Sequence, residues 1–143
     1  TGSGLADVIS ARGAAFGDLF NDGSIDVVIN NIDSRPTLLR NVLKTGNHWL
    51  DVKLIGGPKS PRDANGAKVF LMAGGVRQRG DVYSGGSYGS SSDQRIHFGL
   101  GKAASIDSIE IHWPSGTIQK IASPGIDRII TVQEGKNGGE NRK

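Results

Sequence analysis

Short apolar runs separated by Gly, Pro, Asn and Ser recur along almost the whole chain, a pattern typical of an all-β protein. Most runs are close to the usual strand length of about five or six residues. Residues 37–43 are ambiguous, because their apolar positions would also line one face of a helix. The predicted strands cover residues 14–18, 25–30, 37–42, 48–55, 67–73, 76–83, 95–100, 106–113, 117–122 and 128–134.

Within several of these runs apolar and polar residues alternate, as expected for strands that bury one face. Successive side chains of a strand point to opposite faces, so the apolar set is expected in the core. We therefore expect residues 47–134 to form a compact antiparallel sandwich or barrel-like domain without a long helix. The inward sets are Ile109, Ile111 and Trp113 in one run, and Ile96, Phe98 and Leu100 in another.

The segment KTGN at 44–47 divides the chain into regions of different pattern. Residues 1–44 contain an acidic turn with its flanking strands. Residues 45–134 form the main β domain, and the polar, glycine-rich residues 135–143 are expected to be disordered. Because residues 1–44 leave strand edges unpaired, we expect this region either to dock on the rest of the chain or to form a homodimer through those edges.

The composition narrows the range of functions. The 143 residues contain no Cys, which excludes disulfides, thiolate metal sites and Cys nucleophiles. The net charge of +3 comes mostly from scattered Lys and Arg, so nucleic acid is not expected as a partner. No run approaches the roughly 18 apolar residues of a membrane helix. Since the sequence opens without Met, we expect it to be part of a longer protein.

The segment DLFNDGSID has the spacing of a calcium-binding loop. Counted from Asp18, the side chains of Asp22 and Asp26 and the carbonyl of Ser24 occupy positions that supply oxygen ligands in such loops. Phe20 stands where a further carboxylate is usual, so we predict a weakened calcium site. The alternative is a plain turn in which the Asp side chains accept hydrogen bonds from backbone N–H groups.

Two blocks of sequence resemble known families. The segment AAFGDLFNDGSIDVVINN, followed by PTLLRN, resembles an FG-GAP (VCBS-type) repeat, the unit of integrin-like β-propellers. The series NHWLDVKLIG, SPRDANGAKV, YSGGSYGSSSDQRIHFGLG and IDSIEIHWPSGTIQKI resembles the ASPIC/UnbV domain in order and spacing. That domain follows FG-GAP repeats in bacterial secreted proteins and in animal cartilage acidic protein.

The resemblance implies a domain organisation and a setting. Residues 1–44 would be a terminal FG-GAP repeat, forming a partial propeller blade, and residues 45–134 an ASPIC/UnbV domain. A blade buries its faces against neighbouring blades, and several repeats are needed for a stable array. The resemblance therefore implies the C-terminal fragment of a larger protein that is secreted, periplasmic or at the cell surface.

The glycine- and serine-rich segment 83–93 allows two interpretations. It could be a recognition loop that presents aromatic rings and hydroxyl groups to a protein or glycan ligand. It could equally be a turn whose glycines adopt positive φ and whose tyrosines cap the core. The candidate ligand-binding residues are Tyr83, Ser84, Ser87, Tyr88 and Asp93.

No catalytic residue is predicted. His48, His97 and His112 lack the spacing of a zinc motif, and alternation places the latter two on solvent-facing sides of strands. The tripeptide at 79–81, Arg-Gly-Asp, matches an integrin-type motif but lies in a predicted strand, where chance agreement explains it. WPSG at 113–116 is expected to end a strand in a turn, with its Trp in the core.

These observations favour a non-catalytic extracellular binding or structural module. The alternative is a carbohydrate-active enzyme accessory or hydrolase-associated domain, whose polar groups would be Asp63, Asp93 and His97. Calcium is the predicted cofactor, a protein or glycan the predicted ligand, and no membrane insertion is expected.

Overall fold

The computed structural model describes residues 8–136. This part of the chain is built from strands and turns without a helix, which confirms the predicted all-β class, and so it has no helix that could cross a membrane. Two compact units are present. Unit 1 comprises the chain up to Leu43 together with Ser84–Asp93, and unit 2 comprises Lys44–Tyr83 and the chain from Gln94 onward.

Twelve strands form in the described residues. Each of the ten predicted runs overlaps one of them, and the two short strands at 86–91 were not predicted. The predicted disordered tail, 135–143, lies outside the described residues except for its first two. The strands are β1 (Ala11–Gly17), β2 (Asp26–Asn31), β3 (Thr37–Leu39), β4 (His48–Ile55), β5 (Lys68–Ala73), β6 (Val76–Asp81), β7 (Gly86–Ser87), β8 (Ser90–Ser91), β9 (Ile96–Gly101), β10 (Ser108–His112), β11 (Ile118–Ala122) and β12 (Arg128–Gln133).

Unit 2 contains two open sheets with a common core. One sheet has the strand order β11-β10-β5-β6 and the other β12-β4-β9, and neither closes into a barrel. All pairs are antiparallel except β12 with β4, which run parallel from Arg128 beside Leu50 to Gln133 beside Ile55. The purely antiparallel prediction is wrong for this pair. A parallel neighbour needs a long connection, and the many residues between β4 and β12 supply one.

The core of unit 2 is formed by the inward residues of both sheets. Every inward residue expected from alternation is buried, including Ile109 and Ile111, which are fully inaccessible. Trp113 is also buried, as predicted, and its indole Nε1 donates to Gln119 Oε1 at 3.0 Å. This pairing satisfies the polar atom of an otherwise apolar side chain, so the Trp is a core residue and not an exposed stacking platform.

A close approach between β6 and β9 accounts for the Arg-Gly-Asp tripeptide. A Cβ atom on Gly80 would lie 2.1 Å from Ile96 Cγ2 and 3.3 Å from Phe98 Cζ, so only glycine fits there. On the opposite side of the strand, the Arg79 guanidinium donates to Asp81 Oδ1 at 2.8 Å. The three residues are therefore explained by packing and by pairing within the strand.

Unit 1 contains a three-stranded antiparallel sheet of order β1-β2-β3 and the separate β7–β8 hairpin. Within the ambiguous segment 37–43, only Thr37–Leu39 is regular, and it pairs with β2. The helical alternative for this segment is wrong. A helix this short is not stable without packing against other elements. Pairing with the edge of β2 instead satisfies the backbone hydrogen-bonding groups of this segment.

The close packing at Gly80 leads to a test of the unit 2 core. We expect Gly80→Ala to lower the free energy of unfolding by about 1–3 kcal/mol, because the new methyl group overpacks the core. Gly99→Ala is the matched control, since a Cβ on this strand glycine meets nothing within 4 Å. Urea unfolding should show little change for the control, and an equal loss in both variants would contradict the proposed clash.

Candidate functional site

The acidic turn uses its carboxylates as acceptors for backbone N–H groups. Asp18 accepts from the amides of Asp22 at 3.0 Å and Gly23 at 2.8 Å. Asp26 accepts from the amides of Leu19 at 3.2 Å and Asn41 at 2.9 Å. Both Asp18 and Asp26 are buried. These are the hydrogen bonds expected of the plain-turn alternative.

The exposed side of the turn is covered by a cation. The Arg40 guanidinium lies 4.0 Å from the centre of the Phe20 ring and 3.5 Å from Asp22 Oδ2. The pKa of Asp22 lies below its usual value, since desolvation, which raises it, is outweighed by hydrogen bonds from Ser24 and Arg40. The Asp22 carboxylate is thus already paired with a cation.

Within residues 8–136, no group of three His, Asp or Glu side chains is arranged to hold a metal ion. Calcium binding through Asp18, Asp22, Ser24 and Asp26 stays a prediction of the sequence.

The candidate ligand loop forms the β7–β8 hairpin, and its tyrosines are exposed. Tyr83 retains 63% and Tyr88 80% of its accessible surface, so the expectation that these rings cap the core is wrong. The glycine part of that alternative is confirmed, since Gly85, Gly86 and Gly89 all have positive φ. A tight turn thus presents aromatic rings to solvent.

The hairpin is attached to the outer edge of β1 by its serines. Ser87 Oγ accepts from the Ala14 amide and Ser92 Oγ from the Phe16 amide, both at 3.2 Å. The Asp93 amide donates to the Phe16 carbonyl at 2.8 Å. The edge that the sequence left unpaired is therefore occupied by a later segment of the same chain, and two of the candidate ligand residues, Ser87 and Asp93, serve this attachment.

All three histidines pair with carboxylates. His48 Nδ1 lies 2.7 Å from Asp127 Oδ2, and His112 Nε2 lies 2.6 Å from Glu110 Oε1. The latter contact is the main cause that lowers the pKa of Glu110, with a second hydrogen bond from Lys120. The three imidazoles are half-buried and hydrogen-bonded to carboxylates, whereas the sequence predicted surface histidines.

The third pair is built on a buried carboxylate. Asp51 lies on the side of β4 facing away from the core, yet only 1% of its surface is accessible. Its Oδ1 lies 2.8 Å from His97 Nδ1, and its Oδ2 lies 4.0 Å from the Arg95 guanidinium. The Trp49 ring stacks on the His97 imidazole with centres 6.3 Å apart. The contact with Asp51 fixes the position of His97 Nδ1, and the other ring nitrogen, Nε2, takes no part in that contact.

Sequence reasoning missed Asp51. The enzyme alternative named Asp63, Asp93 and His97 as isolated polar groups near the loops, and the structure shows that the hydrogen bond of His97 goes to Asp51. The available signal was a carboxylate between Trp49 and Lys53 on the outward side of a predicted strand. Its partner could not be found, because the pairing of β4 with β9 depends on a register that the sequence does not specify.

The family profile described as ASPIC and UnbV matches residues 57–139, more than half of the chain. The chain belongs to the ASPIC/UnbV family. A comparison with curated proteins finds no match. The ASPIC/UnbV match includes the hairpin and His97, whereas Asp51 and the acidic turn precede it.

A carboxylate joins three loops of the ASPIC/UnbV region. Glu134 accepts a short hydrogen bond from Ser115 Oγ and another from the Gly57 amide at 2.7 Å, and the Ser115 amide donates to Ser60 Oγ at 3.2 Å. Burial raises the pKa of Glu134, but hydrogen bonds from Ser115, Gly57 and Ser60 outweigh this and lower it. The WPSG turn is confirmed and is held in place by this network.

The hydrogen bonds of the acidic turn lead to a test for calcium. We expect Asp18→Ala to lower the free energy of unfolding by about 1–3 kcal/mol, because the amides of Asp22 and Gly23 lose their acceptor, the buried Asp18 carboxylate. The loss should be the same in excess chelator and in calcium. A calcium-dependent stabilisation of the native protein, roughly 2.7 kcal/mol at about 100 times Kd, that Phe20→Asp enlarges and Asp18→Ala abolishes would instead establish the metal site.

The attachment of the hairpin to β1 can be tested by amide exchange. We expect Ser92→Ala to accelerate hydrogen exchange at the Phe16 amide by about fivefold or more, since losing a hydrogen bond worth about 1 kcal/mol raises local opening accordingly. Ser91→Ala in the same hairpin is the control, because the Ser91 hydroxyl has no hydrogen bond to β1 among those described. Unchanged exchange at Phe16 in both variants would contradict the attachment.

The two aspartate–histidine pairs of unit 2 differ in burial and allow a matched comparison. We expect Asp51→Asn to lower the free energy of unfolding by about 2 kcal/mol, because a charged hydrogen bond is lost in a buried site. Asp127→Asn changes the same chemistry in an exposed pair and should cost less than about 1 kcal/mol. Chemical unfolding measures both, and the opposite ranking would show that Asp51 does not support the sheet.

Proposed function

We propose that this chain is a non-catalytic binding or structural module of a secreted, periplasmic or cell-surface protein. In this proposal residues 45–134 are the C-terminal ASPIC/UnbV domain, and residues 1–44 are a final FG-GAP-like repeat of a longer chain. The observation that carries the binding function is the exposed Tyr88 on a hairpin whose backbone is held in place, with the exposed Tyr83 just before that hairpin.

The hairpin has the physical properties of a recognition element. Tyrosine offers a large amphipathic surface and loses little conformational freedom on binding, which suits it to protein and glycan contacts. Tyr88 lies at the tip of a hairpin fixed by hydrogen bonds to β1. A ligand would therefore meet a preorganised ring, and the ordering cost of binding would be small.

The sheet of unit 1 supports the proposed repeat. Its register places Phe16, Val27 and Leu39 on one face, and Val28 and Leu38 on the other. Phe16 and Leu38, which lie on opposite faces, are each about half exposed. A sheet that is apolar on both sides is suited to burial between neighbours, as a propeller blade is.

Because the hairpin occupies the edge of β1, this edge is not free to form the interface of the proposed homodimer. Pairing of two copies through β1 would require displacement of the hairpin. An edge-to-edge dimer would instead use β3, whose outer side has no strand partner in the described residues. Sedimentation velocity, with Leu38→Lys as the variant expected to shift a dimer to monomer, tests this part of the proposal.

One observation supports the alternative of a carbohydrate-active enzyme accessory or hydrolase-associated domain. A histidine held by a buried carboxylate is the arrangement that orients an imidazole for proton transfer or metal binding. His97 and Asp51 fulfil the orienting part, with Arg95 as a nearby cation. Hydrolysis of glycoside or ester substrates by the native protein, abolished by His97→Gln, would favour this alternative over the binding module.

The binding function is tested on glycan and protein arrays. We expect Tyr88→Ser to weaken a ligand captured by the native protein at least tenfold. Ile118→Ser is the matched control, since it also replaces an exposed large side chain, on β11 in unit 2. Arrays without a ligand for the native protein would remove the binding half of the proposal and leave a structural role.

A further inference from the structure

The outer face of the β11-β10-β5-β6 sheet concentrates positive charge. Cross-strand neighbours share a face, and the register places Phe70 between Arg79 and Glu110, with Lys120 beyond Glu110. We call this surface the basic face; its residues beside the central ring are Lys68, Arg77, Arg79, Lys120 and His112. The alternate residues of the same strands point into the core, so this face meets solvent.

Two carboxylates lie on the basic face, and each is already paired. Asp81 accepts from Arg79, and Glu110 accepts from His112 and contacts Lys120 Nζ at 3.2 Å. Four Lys and Arg side chains therefore stand against two carboxylates. The surface has a net charge of +2 with His112 neutral, a large part of the +3 of the whole chain.

The central aromatic ring organises the arginines. The Arg77 guanidinium lies 4.5 Å and that of Arg79 5.9 Å from the centre of the Phe70 ring, while the His112 imidazole contacts the ring at 5.0 Å between centres. Cation–π contacts of this kind restrict the long Arg side chains. The two arginines, which are alternate residues of β6, are thus held in order, which lowers the entropy cost of binding an anion.

We propose that the basic face binds an anionic polysaccharide through its sulfate or carboxylate groups. Alternate residues on one strand are about 7 Å apart and neighbouring strands about 5 Å apart, so Arg77, Arg79 and Lys68 on β6 and β5 lie close enough to contact successive anionic groups of a linear polyanion. The arginine fork matches planar carboxylates and the oxygens of sulfate in bidentate contacts. This proposal is independent of the tyrosine hairpin, which lies in unit 1.

Charge complementarity would also suit nucleic acid, but the aromatic group argues against it. Proteins that bind single strands stack bases on accessible aromatic faces. The Phe70 ring is contacted by Arg77 and His112, so it is not available for stacking. Ordered arginines without a stacking platform fit a polysaccharide better.

The test is retention of the full chain on immobilised heparin, with polygalacturonate as a carboxylate-only competitor. We expect Lys68→Gln/Arg77→Gln to elute at lower salt and to reduce the slope of log Kd against log salt by about 2, one for each lost ionic contact. The matched control is Lys53→Gln/Lys59→Gln, which removes the same charge from exposed positions outside the basic face. It should elute close to the native protein.

Three results would overturn the proposal. The first is an equal loss in the control pair, which would show attraction by net charge alone. The second is tighter binding of a DNA oligonucleotide than of heparin at the same ionic strength, which would assign the face to nucleic acid. The third is the absence of retention at low salt. Arg77→Lys keeps the charge and should retain most binding, and circular dichroism confirms that each variant is folded.

Discussion

The two sheets of unit 2 must bury their inward rows against each other, and the rest of the domain depends on this constraint. Val69 and Leu71 on β5 and Ile109 on β10 belong to the same core as Leu50 and Phe98 of the other sheet, and all are buried. Burial of each such side chain contributes about 1.5–3 kcal/mol. Since inward and outward positions alternate, filling the core also determines which residues remain for chemistry on the outside.

The outward positions show three different solutions for polar groups on a sheet. On the basic face, arginines lie over an aromatic ring and remain in contact with solvent. On the β12-β4-β9 sheet, Asp51 is buried and relies on His97 for its hydrogen bond. At the end of the strands, Glu134 connects loops through serine hydroxyls and a backbone amide. Of these three cases, only the burial of Asp51 removes a charge from water, so Asp51 depends most on its hydrogen-bond partner.

Local pattern was sufficient to predict much of this structure. Alternation identified the buried positions around Ile109 and Phe98, and turn residues located the strand ends, because both depend on neighbours in the sequence. The parallel pairing of β12 with β4 and the partner of His97 depend on register between distant segments, which a single sequence does not contain. The exposure of the tyrosines in segment 83–93 could not be predicted for a related reason. The glycines of this segment predicted the turn, but the place where the turn docks depends on β1, a distant part of the chain.

The return of Ser84–Asp93 to unit 1 has a consequence for how this protein can evolve. The chain passes between the units after Leu43, after Tyr83 and again after Asp93, so no single recombination point separates them. A transplanted ASPIC/UnbV domain would bring its own hairpin to a foreign first strand. Gly13 shows how specific that match is, because a Cβ there would lie 2.2 Å from the Tyr88 carbonyl oxygen. The two segments are therefore expected to be inherited together and to change in concert.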